Sequence, residues 1–117
     1  MGAKLQLKPG QTVAVLARPV EVEVELPEGV TSVPSPGSAD AVVVFVRNER
    51  ELAKRAGPVL GAARADRLAW IAYPKAGQLG TDLNRERLAA LMSEQGVQPV
   101  RQVAIDETWS ALRFRPA

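Results

Sequence analysis

Three short apolar runs constrain the fold of this chain more than any other feature. Thr12-Val13-Ala14-Val15-Leu16-Ala17 follows the turn residues Lys8-Pro9-Gly10 and stops at Arg18-Pro19. The pattern recurs at Ala41-Val42-Val43-Val44-Phe45-Val46 and at Leu68-Ala69-Trp70-Ile71-Ala72-Tyr73-Pro74. A strand with one wet face alternates apolar and polar side chains. An unbroken run between turn residues marks a strand covered on both faces, as in a parallel sheet.

The intervening sequence supplies covering helices. Asn48 is placed to cap a helix, with Glu51 at the third helical position to complete a capping box. Leu52, Ala56, Val59 and Ala63 follow at helical spacing, but Gly57-Pro58 interrupts them, because a mid-helix proline forfeits a backbone bond and clashes with the turn before it. Two short helices are therefore expected between 48 and 66, with Pro58 opening the second. Another helix is expected from about Arg85 to Gln95, capped by Asn84, burying Leu88, Leu91 and Met92, and stopped by Gly96. Val97 to Ile105 and Trp109 to Arg115 are extended stretches joined only by Asp106-Glu107-Thr108, a link short enough to require an antiparallel hairpin.

Val20 to Leu26 alternates valine or leucine with Glu21, Glu23 and Glu25, which is the period of a strand. A parallel connection from 12–17 to a short strand near Val30–Val33 instead calls for a crossover that is usually helical. The pattern favours strand. From Leu26 to Ala39 the Pro, Gly and Ser content predicts loop. At 117 residues the whole chain, 1–117, reads as one α/β domain: a small, open, mostly parallel Rossmann-like sheet with flanking helices and a C-terminal antiparallel hairpin.

The chain holds no cysteine and no histidine, which removes thiol nucleophiles, imidazole bases, the Ser-His-Asp triad and Cys/His zinc sites together. Asp40, Asp66 and Asp82 stand singly, and only Asp106 and Glu107 are adjacent, so no metal and no cofactor are expected. The formal charge is +2 with dispersed arginines, which argues against specific nucleic-acid binding. No stretch approaches the ~20 apolar residues of a membrane span, and Met1 to Leu7 lacks a signal-peptide core, so a cytoplasmic location is expected.

The order strand, helix, strand, helix, antiparallel hairpin resembles the second half of a Rossmann-type methyltransferase. Those enzymes carry a glycine-rich loop after the first strand, where backbone approaches the cofactor. Here the turn reads Ala17-Arg18-Pro19, so S-adenosylmethionine is not expected to bind. Several segments resemble a bacterial family known only as a domain of unknown function: Leu7-Lys8-Pro9-Gly10, Leu26-Pro27-Glu28-Gly29-Val30, Ala39 through Val46, Trp70-Ile71-Ala72-Tyr73-Pro74-Lys75, Thr81-Asp82-Leu83, and Val103 through Phe114 with its Asp-Glu-Thr-Trp-Ser-Ala-Leu-Arg-Phe core. The resemblance brings no activity with it. The chain departs from that family in the alternation at 20–25, where the relatives look more helical.

Methyltransferase strand order would set 12–17 beside 41–46, then 68–74, then 109–115, with 97–105 at the edge. Ligands of open α/β sheets bind beyond the carboxyl ends of the strands, and here those ends carry Arg18, Arg47, Tyr73 and Lys75, with Asp106, Glu107 and Trp109 of the hairpin alongside. Arg18, Arg47 and Lys75 could line a pocket for an anion, or could simply mark where strands meet water. Asp106, Glu107 or Asp82 could exchange a proton with Lys75, or could serve a turn and a structural ion pair. Trp70 and Trp109 could stack on a base, or fill the core. Glu51 and Arg55 read as a solvated i,i+4 pair. Three functions compete: a non-catalytic module binding a small anionic ligand or a protein partner, an enzyme using Lys75 with Asp82 or Asp106, and a nucleic-acid-associated factor. The first asks least of the residues present.

Overall fold

A strand apolar along its whole length has two faces to bury, and the structure shows how each is covered. The protein is described by a computed structural model over residues 5–117. Among these residues lie strands β1 (Thr12–Leu16), β2 (Thr31–Ser32), β3 (Ala41–Phe45), β4 (Leu68–Pro74), β5 (Val97–Ala104) and β6 (Trp109–Pro116), and helices α1 (Glu49–Arg55), α2 (Gly57–Arg64) and α3 (Arg85–Ser93). The strands form one sheet in the order β2-β1-β3-β4-β6-β5. β1 pairs in parallel with β2 and β3, and β3 in parallel with β4, whereas β6 runs antiparallel to both β4 and β5. The fold is thus mixed α/β with an antiparallel C-terminal hairpin, and the three apolar runs are neighbouring parallel strands. No helix among the described residues is long and apolar enough to cross a membrane.

Alternate residues of each strand divide the core in two. Val42, Val44, Val46, Ile71, Tyr73, Leu112 and Phe114 pack with Leu52 of α1, Val59 and Ala62 of α2, and Leu88 and Met92 of α3. Val13, Val43, Phe45, Trp70, Ala72, Trp109 and Ala111 form the second cluster, with Leu5, Leu7 and Val22. All three helices therefore cover one face. The other is covered by chain without regular secondary structure, and the Trp70 indole N–H donates to the Leu5 carbonyl at 3.2 Å to fasten that cover.

This arrangement corrects the expectation of a strand at 20–26. The segment is neither strand nor helix. Val22 is buried and Val24 and Leu26 pack against the second cluster, while the glutamates between them face solvent. The alternation reports burial against a sheet face rather than a hydrogen-bonded ladder. The crossover from β1 to β2 ends at a tight junction, where Gly10 N–H donates to the Gly29 carbonyl at 2.8 Å. Gly29 has φ +85°, and a side chain there would meet Pro9 at 3.0 Å.

The helix starts follow their caps. Asn48 Oδ1 accepts from Glu51 N–H at 2.9 Å, and Asn84 Oδ1 from Arg87 N–H at 2.8 Å. The Glu51 carboxylate, however, accepts from Arg47 N–H at 2.8 Å, one residue ahead of the amide that a capping box would use. Pro58 sits in the first turn of α2, where its missing N–H removes no helical bond. At the sheet edges, β2 is only two residues long, and β5 carries Pro99 and a register shift between Pro99 and Arg101.

The cover over the helix-free face is testable through two valines of one segment. Val22 is 1% exposed and Val20 is 91% exposed. Urea denaturation should show Val22→Ala costing about 2 kcal/mol, by lost burial plus a cavity, and Val20→Ala changing stability by under about 0.5 kcal/mol.

Candidate functional site

Since β1, β3 and β4 are parallel and β5 runs with them, their carboxyl ends share one edge of the sheet, and β6 begins there. The expected site residues do gather along this edge. Their side chains are engaged differently from the sequence expectation.

Lys75 donates its backbone N–H to the Thr108 carbonyl at 2.8 Å, which ties it to the hairpin. Its ammonium, however, forms no ion pair among the described residues, so the expected contact with Asp82 or a hairpin carboxylate is absent. The acids are turned to backbone amides instead. Asp106 Oδ1 accepts from Thr108 N–H at 2.8 Å and Trp109 N–H at 2.7 Å, closing the hairpin. Asp82 Oδ1 accepts from Glu49 N–H at 2.9 Å, in the first turn of α1. Glu107 is exposed. No three acidic side chains among the described residues converge as metal ligands would.

Arg18 is one of the residues that could line an anion pocket. It folds back on its own loop instead, its Nη1 donating to the Val22 carbonyl and, at 3.4 Å, to that of Pro19. Arg47 is exposed at the end of β3. Trp109 belongs to the core, 2% exposed and edge-on to Phe45 with ring centroids 5.3 Å apart. Trp70 is core as well. The Tyr73 hydroxyl accepts from Gln102 Nε2 at 3.1 Å. Burial pushes the Tyr73 phenol above its usual pKa, outweighing the opposing influence of Arg85, so it stays protonated at neutral pH.

Two hollows open at this edge, on opposite faces of the sheet. On the helix-free face, Glu21, Val22, Leu79, Asp106, Thr108 and Trp109 line a space of about 180 Å³. On the helix face, Leu16, Ala17, Val44, Lys54, Arg55 and Pro58 line one of about 280 Å³. The second lies where strand order reverses, since from β1 the chain passes to β2 on one side and then to β3 on the other. Arg55 bridges Glu51 Oε1 at 3.1 Å and the Phe45 carbonyl at 3.4 Å, which holds it over the strand end. Lys54 forms no ion pair among the described residues. At the lip, Ala17 has φ +59°, a left-handed conformation costing a non-glycine residue roughly 1–2 kcal/mol.

A larger hollow of about 490 Å³ lies between α1–α2 and α3, floored by Leu52, Leu60, Leu91 and Met92. It is away from the strand ends, and Glu49 on its rim accepts from Arg87 Nε and Nη2, each at 2.9 Å. Lys54 and Arg55 are the residues that sequence reasoning passed over. The Glu51–Arg55 spacing was visible, but it was read as a solvated face, and only the path of α1 over the β1–β3 boundary gives it a position. Compared with known proteins, the chain matches no protein-family model, and no curated protein matches its sequence.

Tyr73 is the one tyrosine of the chain, so its ionisation can be followed directly by tyrosinate absorbance. Its folded pKa lies above that of a free tyrosine. Its contribution to stability is present below pH ~10, where both states are protonated, and is lost as pH rises toward the folded value, because the unfolded chain sheds the proton first. Alkaline titration of the native protein should show tyrosinate appearing above pH ~10, and Tyr73→Phe should flatten the alkaline limb of stability. Separately, Asp106→Ala should cost about 1 kcal/mol in urea denaturation by releasing two amides, whereas Lys75→Ala should cost under about 0.5 kcal/mol.

Proposed function

We propose that the protein is a non-catalytic α/β module that binds a small anionic ligand in the hollow between the ends of β1 and β3. The observation that carries this reading is the 280 Å³ hollow itself, which has Lys54 and Arg55 among its lining residues and no carboxylate. Ligands of open α/β sheets sit outside the carboxyl ends of the strands where strand order reverses, and the position of this hollow beside the ends of β1 and β3 supports the reading. The volume suits a phosphorylated or carboxylated metabolite fragment rather than a dinucleotide.

The alternative, an enzyme using Lys75 with Asp82 or Asp106, needs a proton donor and acceptor within hydrogen-bond reach. Lys75 has no carboxylate partner among the described residues, and Asp82 and Asp106 hold backbone amides. The Ala17-Arg18-Pro19 turn also fails to offer backbone amides in the way a glycine-rich loop does, so S-adenosylmethionine is a poor candidate ligand. The resemblance to the bacterial family of unknown function fits this reading but adds no ligand to it.

A thermal-shift screen against phosphates, nucleotides and acidic metabolites tests the proposal. A ligand at about 100 times its Kd adds about 2.7 kcal/mol, a rise of about 10 °C for a domain of this size. Lys54→Ala should keep the wild-type melting temperature without ligand and lose the rise. A rise that persists in Lys54→Ala places the ligand elsewhere and overturns the reading.

A further inference from the structure

Antiparallel pairing sets Arg101 of β5 directly opposite Arg113 of β6. Opposed residues share a face of the sheet with Cβ atoms about 4.5–5.5 Å apart, and like charges in that position oppose folding. Arg115 follows two residues along β6 on the same face. Three guanidiniums thus occupy one corner of the helix-free face. Asp66 engages only Arg115, with Oδ1 to Nε at 3.0 Å and Oδ2 to Nη2 at 3.2 Å. Residues 1–4 are Met-Gly-Ala-Lys and bring no carboxylate side chain.

Arg113 is half-buried, and its Nη1 donates to Gln6 Oε1 at 2.6 Å. Its Nε is buried without a hydrogen-bond partner among the described residues, a condition rare in native proteins. Burial first, and then the neighbouring Arg115, push the Arg113 guanidinium below its usual pKa, with Arg101 adding in the same direction. Asp66, paired with Arg115, also attracts Arg113 and does so by more than Arg101 repels it, but it offsets only part of the combined repulsion of the two arginines.

We propose that Arg101, Arg113 and Arg115 form a second anion site, on the helix-free face of the β5–β6 hairpin, that takes a phosphate group. An anion seated between Arg101 and Arg113 turns their repulsion into attraction. Guanidiniums on two neighbouring strands match a multi-oxygen tetrahedral dianion better than a single carboxylate. The site stands apart from the Lys54 hollow, on the other face of the sheet, so each proposal can fail without the other.

The test is titration of the full chain with inorganic phosphate and, in parallel, with glycerol phosphate, followed by the arginine Nε–H resonances in NMR spectra. The Arg113 resonance should shift and saturate with a Kd on the order of 1 mM or tighter. Saturation by either compound supports the proposal and tells free phosphate from an ester. Arg101 is exposed, so Arg101→Gln tests the site without entering the core, and it should weaken binding about tenfold. Lys54→Ala should leave the Arg113 response unchanged. The proposal is overturned if neither compound gives a saturable shift, if sodium chloride at equal ionic strength reproduces it, or if Arg101→Gln binds as tightly as wild type.

Discussion

The central strands present apolar side chains on both faces, while the chain provides helices for only one of them. The rest of the structure follows from that imbalance. Helices α1, α2 and α3 bury the face of Val44, Ile71 and Leu112, and the face of Trp70, Trp109 and Phe45 is sealed by residues 5–7 and 22–26. An irregular cover satisfies fewer of its own backbone groups than a helix, so it relies on points of attachment. The Trp70 indole bond to Leu5, the Gly10–Gly29 junction and the Arg18 bonds back onto its loop serve that need.

The same economy governs the carboxylates. Asp40 accepts from both the amide and the hydroxyl of Thr12, joining β1 to β3 at the edge where those strands begin. Asp82 joins the loop before α3 to the start of α1, and Asp106 shapes the hairpin. Each holds the chain where two segments meet. At the carboxyl edge, Lys54 and Lys75 form no ion pair among the described residues, whereas Arg55 is paired with Glu51.

Much of the fold was legible in the sequence because burial on both faces leaves an unbroken apolar run, a cap leaves Asn three residues ahead of its amide partner, and a three-residue link leaves a hairpin no alternative. The segment at 20–26 was misread for an equally physical reason. Alternation records which side chains are wet, and Val22, Val24 and Leu26 are inward whether or not the backbone has a strand beside it. At the site, the strand ends could be placed from strand order, but the bond between Asp82 and Glu49 spans 33 residues and leaves no local pattern. The place of Lys54 at the rim of the hollow likewise depends on where α1 passes over the sheet, which its own sequence does not encode.

The two outer strands carry a further consequence. An open sheet ends in rows of unpaired amides and carbonyls that can recruit a strand from another molecule. Here one border is the two-residue β2, too short to template a partner. The other is β5, where Pro99 offers no amide and the displaced Val100 breaks the spacing that an incoming strand would have to match. In a chain rich in valine, with runs that would be hazardous if exposed, two small irregularities at the margins of the sheet oppose edge-to-edge pairing with another molecule.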